Sequence, residues 1–330
     1  MDRDTKGIKL AVTGGDLRSL AAAGRLSERF SVSVYGFCGD DGRDMCADRM
    51  ICSGGMCMKC PETARRRFEQ NAVGCEDIGE ALDGAAAVIL PLPASVDGEH
   101  ITMPFSDRLV RNEDVIRMAA ERGVRLIAGG RLGDIAGLAR EYGLLAFDYF
   151  EREDFAVANA VPTAEGAIAI AMNELPLTID GASVLVVGYG RIGKLLAMKL
   201  KALGANVTAS ARRDDDIAWI NANGIDSART GELAETIGRI RPDVIFTTVP
   251  HMVIGRNELE RCGDALIIDL ASKPGGVDIA AAGALGKRVI WALSLPGKTS
   301  PMTAGRIIAD TVTPKILEIT DEAAEERGEN

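Results

Sequence analysis

Short apolar runs alternate with amphipathic stretches along the whole chain, and many of the runs end in glycine or proline. Ile8 to Val12 is strand-like and ends in Thr13-Gly14-Gly15-Asp16-Leu17-Arg18. An Ala- and Leu-rich helical stretch follows, then the run Val32 to Phe37. Strand, glycine turn, helix and strand in that order start a parallel α/β unit. Further runs lie at 87–90, 124–128 and 144–147; the first meets Pro91-Leu92-Pro93 and the second Gly129-Gly130. Residues 1–150 are therefore expected to form one doubly wound domain, with ligand loops after the carboxyl ends of its strands.

A second series begins near residue 153. Pro162 and Pro176 bracket an apolar stretch that opens at Thr163-Ala164-Glu165-Gly166, which predicts helix boundaries at those prolines. Strand candidates follow at Ser183–Val187, Asn206–Ala209, Val244–Thr247, Leu266–Ile268 and Val289–Trp291. The tail from Thr303 to Ile319 reads as a helix before an acidic end at 321–330. The expected division is 1–152, joined by a returning C-terminal helix at 303–330, and a nucleotide-binding domain at 153–302. The fold class is α/β, with two doubly wound Rossmann-like domains.

Composition narrows the function. A net charge of −10 and a pI near 5.0 argue against a nucleic-acid surface, which needs clustered Lys and Arg. No window reads as 18 consecutive apolar residues and the first residues are polar, so neither a membrane span nor a signal peptide is expected. A cytoplasmic protein with its cysteines as thiols is the resulting expectation.

The main chemical signal is Gly188-Tyr189-Gly190-Arg191-Ile192-Gly193, between the strand 183–187 and the helical stretch 194–203. Gly188 permits the tight turn, Gly190 admits the pyrophosphate and Gly193 allows close helix–strand packing. The helix N-terminus offers N–H groups to the phosphates. No acid precedes Asp214 where an NAD-selective site carries one; Ser210, Arg212 and Arg213 stand there instead and suit a 2′-phosphate. NADP is the expected cofactor, with NAD possible. Thr248, Val249 and Pro250, after the run Val244–Thr247, are expected to line the nicotinamide-ribose half. Lys273 and Lys298, in two further strand-end loops, are candidates to bind an anionic substrate.

The segments 14–18, 159–166, 188–193, 269–276 and 295–305 together resemble the A subunit of dipicolinate synthase. The resemblance runs from residue 8 to about residue 318, and Pro162-Thr163-Ala164-Glu165-Gly166 and Ala271-Ser272-Lys273-Pro274-Gly275-Gly276 are its most specific parts. It implies an oxidoreductase of spore-forming bacteria that works with a flavoprotein-like B subunit in the mother cell. The pair makes dipicolinate from a dihydro- or hydroxytetrahydro-dipicolinate of the lysine pathway. The implied fold is that of formate/glycerate and alanine dehydrogenases, with crossing helices, and a homo-oligomer is expected as well. A small dicarboxylate substrate makes Arg18 the natural carboxylate clamp, with Asp16 orienting it and Ser95 a further donor. Arg18, Ser95 and Lys273 are the candidate catalytic residues.

Two other readings stay open. One is an NADP-dependent shikimate- or hydroxyacid-type dehydrogenase. The other is a non-enzymatic nucleotide-binding scaffold, because acid–base groups are scarce: the two histidines, His100 and His251, both read as surface residues. Cys52-x4-Cys57-x2-Cys60 matches an iron–sulfur spacing, and a zinc site would recruit Cys46 or Cys75. With a single Cys-x-x-Cys, free thiols between Cys38 and Cys75 are the expectation and no metal is assigned.

Overall fold

Uninterrupted apolar strands need cover on both faces, and the computed structural model, which describes residues 5–37 and 72–326, provides it twice. The chain divides into two units, Met1–Ala156 with Pro301–Asn330, and Val157–Ser300.

The first unit contains β1 (Lys9–Thr13), α1 (Leu17–Leu26), β2 (Ser31–Tyr35), β3 (Ala72–Gly74), α2 (Ile78–Leu82), β4 (Ala85–Ile89), α3 (Asn112–Glu121), β5 (Leu126–Gly129), α4 (Asp134–Glu141) and β6 (Leu145–Asp148). Its sheet is parallel in the order β3-β2-β1-β4-β5-β6. Side chains alternate between two buried layers. Leu10, Val12, Leu126 and Ala128 face one, while Ala11 and Ile127 face the other.

Helix α5 (Glu153–Glu174) begins in this unit and continues into the second. It runs through Pro162, correcting the expected boundary there. Proline removes one N–H from the helix ladder, and one turn back the Thr163 hydroxyl donates to Asn159 O at 2.8 Å. By length and composition α5 is also apolar enough to cross a membrane, which corrects the expectation that no segment would be. That apolarity serves the core, where Ala164, Ala167, Ile168 and Ala171 are buried.

The second unit contains β7 (Ser183–Val187), α6 (Arg191–Ala202), β8 (Asn206–Ala211), α7 (Asp214–Ala222), β9 (Asp226–Arg229), α8 (Leu233–Ile240), β10 (Val244–Thr247), α9 (Arg256–Arg261), β11 (Leu266–Asp269), α10 (Ile279–Ala284), β12 (Val289–Trp291) and α11 (Leu295–Thr299). Its sheet is parallel in the order β12-β11-β10-β7-β8-β9. Val184, Val186 and Phe246 face one core layer, with Leu185, Val187 and Ile245 facing the other.

The last helix, α12 (Pro301–Glu326), belongs to the first unit and packs on α1. A Cβ on Gly305 would lie 2.4 Å from Ala21 Cβ and 2.6 Å from Arg18 O, so this crossing requires glycine. The backbone that carries Arg18 is thereby fixed from behind.

Candidate functional site

In each sheet the chain order reverses between two neighbouring strands, β1 and β4 in the first unit and β7 and β10 in the second. Loops beyond the carboxyl ends of such strands form the crevice where open α/β sheets take ligands.

In the second unit Gly188 turns out of β7 with φ +99, and its N–H donates to Ser210 O at 3.1 Å. A Cβ there would lie 2.6 Å from Thr248 Oγ1 and 2.8 Å from Val249 Cγ2. On Gly193 it would lie 2.0 Å from Gly188 O, while on Gly190 it would meet nothing within 4 Å. The two outer glycines therefore shape the loop, and the middle one keeps its outer side open. Gly190 caps α6, and the first N–H bonded within that helix is Lys194 N to Gly190 O at 2.9 Å. The N–H groups of Arg191, Ile192 and Gly193 precede that bond, at the positive end of the helix dipole. This arrangement fits a dinucleotide pyrophosphate. Tyr189 is buried, and Lys194 Nζ lies 5.6 Å from the centre of its ring. Thr248 is tied back through N–H and Oγ1 to Val187 O at 2.9 and 3.1 Å. Pro250 is exposed beyond it.

The trio expected at the end of β8 separates. Ser210 is fully buried and its Oγ has no partner among the described residues, so it presents no surface to a 2′-phosphate. Arg213 is exposed and gives its fork to the Asp215 carboxylate, with Nε 2.8 Å from Oδ1. Arg212 is exposed and makes no ion pair among the described residues, although its carbonyl accepts from Arg229 Nη1 at 3.2 Å.

After β11, the Asp269 side chain, 1% exposed, accepts from the N–H groups of Ala271 at 2.9 Å and Gly276 at 2.7 Å. Burial pushes its carboxyl above the usual range, against the pull of those amide bonds. Trp291 Nε1 holds the same loop by donating to Ala271 O at 2.9 Å. Asp269 thus organises the segment that carries Lys273, and Lys273 itself is exposed, as is Lys298 on α11. Position alone marked Asp269 in the sequence, as the polar end of an apolar run.

In the first unit Asp16 caps α1, accepting from Arg18 N at 2.9 Å. The Arg18 guanidinium is mostly buried. It donates through Nε to Asp16 Oδ1 at 2.9 Å and through Nη2 to Asp16 Oδ2 at 2.8 Å and Leu92 O at 2.6 Å. Asp16 both caps and orients, and Nη1 is left without a partner among the described residues. Ser95 follows the β4 loop, but its hydroxyl proton is directed to Asp97 Oδ1 at 3.2 Å while it accepts from Gly98 N at 3.0 Å.

His100 pairs with Asp97 through Nδ1 at 2.9 Å. The His100 amide and ring hold the Asp97 carboxyl well below the usual carboxylate range. His251 is exposed. Cys38, Cys46, Cys52, Cys57 and Cys60 lie outside the described residues, and among the described residues no three His, Cys, Asp or Glu side chains form a group fit for a metal.

Two doubly wound units, one carrying a complete dinucleotide loop, define the nicotinamide-dependent oxidoreductase class. The D-isomer specific 2-hydroxyacid dehydrogenase NAD-binding domain family matches residues 158–289, and the family of N-terminal domains from the A subunit of dipicolinate synthase matches residues 9–150. The A subunit of dipicolinate synthase from Bacillus subtilis (strain 168) is 32% identical over 96% of this chain and 98% of its own. The crystal structure of the Bacillus subtilis protein superposes with a TM-score of 0.78 at 30% identity, covering 98% of this chain and 100% of that one. That of the Bacillus halodurans counterpart gives 0.76 at 27% identity, covering 95% and 99%. An L-alanine dehydrogenase shares the fold at 12% identity, with a TM-score of 0.60 over 95% of this chain and 90% of that one. The chain belongs to the family of dipicolinate synthase A subunits.

Proposed function

We propose that the chain is the oxidoreductase component of a two-subunit dipicolinate synthase. It acts with a flavoprotein-like B subunit on a dihydro- or hydroxytetrahydro-dipicolinate, in the cytoplasm of the mother cell of a spore-former. The observation that carries this reading is the match to a dipicolinate synthase A subunit over 96% of the chain, with ligand-ready loops at both strand reversals.

Aromatising a dihydropyridine dicarboxylate removes one hydride and one proton, a hydroxytetrahydro form first losing water, and a bound nicotinamide would supply the hydride acceptor. The chain's own part is to bind, orient and neutralise. Gly188 to Gly193 hold the pyrophosphate, and Thr248, Val249 and Pro250 line the nicotinamide-ribose half. Arg212 gives NADP its advantage over NAD, because it is the cation at the end of β8 with no internal carboxylate partner among the described residues. Arg18, with Asp16 behind it and Nη1 without a partner among the described residues, grips one substrate carboxylate. Lys273 adds positive charge at the carboxyl edge of the second sheet.

Co-expression with and without the B subunit, reading dipicolinate absorbance from the lysine-pathway precursor, tests this reading. Dipicolinate should form only when both chains are present. A chain that reduces a shikimate- or hydroxyacid-type substrate by itself, and adds nothing to dipicolinate formation, would support the alternative dehydrogenase.

A further inference from the structure

Arg131, in the loop after β5, holds a left-handed backbone with φ +55. Three bonds to the Asp148 carboxylate fix that turn: Arg131 N to Oδ1 at 3.0 Å, Leu132 N to Oδ2 at 2.7 Å and Phe150 N to Oδ1 at 2.9 Å. Glycine would adopt this conformation without strain, so an arginine here points to a use for the side chain. The guanidinium is exposed, lies 4.4 Å from the centre of the Phe150 ring, and has no carboxylate partner among the described residues. Stacking uses the face of a guanidinium and leaves its N–H edge free for an anion.

The neighbourhood ties Arg131 to Arg18. Gly130 is bonded on both sides to the β4 loop, donating to Pro91 O at 3.1 Å and accepting from Ala94 N at 2.9 Å. A Cβ on Gly130 would lie 2.6 Å from Leu92 Cδ1. Leu92 is the residue whose carbonyl holds Arg18. Arg131 thus follows a residue bonded to the loop that Arg18 holds, and both arginines stand at the carboxyl edge of one sheet.

We propose that Arg131 is a second carboxylate-binding residue, so that Arg18 and Arg131 each take one carboxylate of a small planar dicarboxylate. The inference rests on the reading of the substrate as a pyridine-type dicarboxylate. Its test is calorimetric titration of the full chain, with NADP present, using pyridine-2,6-dicarboxylate and pyridine-2-carboxylate. The variants are Arg131→Gly and Arg131→Asn, since both replacements tolerate left-handed backbone. The expected result is unchanged binding of the monocarboxylate, dicarboxylate binding weakened about tenfold or more, and a melting temperature no lower than that of the parent. Parent-like dicarboxylate affinity in either folded variant would overturn the role of Arg131 and leave the substrate reading intact. A parent chain that binds both compounds equally, or neither, would overturn the two together.

Discussion

Arg18 Nη2 donates to Leu92 O at 2.6 Å, so one guanidinium ties the first turn of α1, which follows β1, to the loop after β4, the two strands between which the first sheet reverses. The same guanidinium is held by Asp16, which leaves Nη1 as its donor without a partner among the described residues. Arg18→Lys should therefore lose transition-state binding on the order of 2–4 kcal/mol while retaining cofactor affinity, because an ammonium cannot span these partners in a fork. Steady-state kinetics beside an NADPH titration check this. Full turnover in the Lys variant would reduce Arg18 to a helix-start residue.

Gly190 is the clean test of the nucleotide loop. Its φ of −78 suits alanine and its Cβ direction is empty, so Gly190→Ala should fold normally. The new methyl would stand where the pyrophosphate approaches, and NADPH affinity should fall about tenfold or more. Gly193→Val is a harsher change, since its Cβ would collide with Gly188 O and distort the loop itself. Fluorescence titration with NADPH, beside a thermal melt, separates the two effects.

Cofactor preference should follow Arg212 more than Arg213. Arg213 is already paired with Asp215, whereas Arg212 faces no carboxylate among the described residues. A charge-assisted bond to a 2′-phosphate contributes roughly 1.5–3 kcal/mol, or about ten- to a hundredfold in favour of NADP. Arg212→Ala should remove most of that ratio and Arg213→Ala little of it, and added salt should erode the ratio in the parent. Dissociation constants for both dinucleotides decide. A parent-like ratio in the double variant would end the assignment.

The central strands were legible in the sequence because burial on both faces makes each a continuous apolar run. Two of the four edge strands, β3 and β9, were not. Ala72–Gly74 spans three residues, and Asp226-Ser227-Ala228-Arg229 is mostly polar, as the edge of a sheet allows. Pro162 looks like a helix boundary in the sequence, yet it sits inside a long helix, as does Pro314, through which the tail was expected to run as a helix. Threonine hydroxyls bond carbonyls one turn back beside each, Thr163 to Asn159 O and Thr313 to Ala309 O. At the site, spacing exposed the glycine loop. It could not show that Ser210 points inward, that Asp215 occupies Arg213, or that Asp97 takes the Ser95 proton. Those outcomes depend on side-chain direction, which residue pattern does not specify.

Asp269 offers a pH signature. Its carboxyl titrates above the ordinary range because it is buried, so the folded chain holds that proton more tightly than the unfolded chain does. The stability this group contributes is therefore present below the ordinary carboxylate pKa and declines as pH rises through the raised value. Asp269→Asn should flatten that part of the stability–pH curve. It should also cost about 1–3 kcal/mol, because Ala271 N and Gly276 N bond different carboxylate oxygens, and in asparagine one of those becomes an NH2 group that faces an N–H donor. Chemical denaturation of both proteins at a series of mildly acidic to neutral pH values measures the difference.

The most direct test of the account is dipicolinate formation by the B subunit combined with either the parent chain or Gly190→Ala. If this chain binds the nicotinamide that accepts the hydride, the parent should form dipicolinate with matching reduction of NADP. A folded Gly190→Ala chain should then fall by at least about tenfold at limiting cofactor. Parent-level dipicolinate formation with the Gly190→Ala chain at limiting cofactor would contradict the account and leave the chain a scaffold for its partner's chemistry.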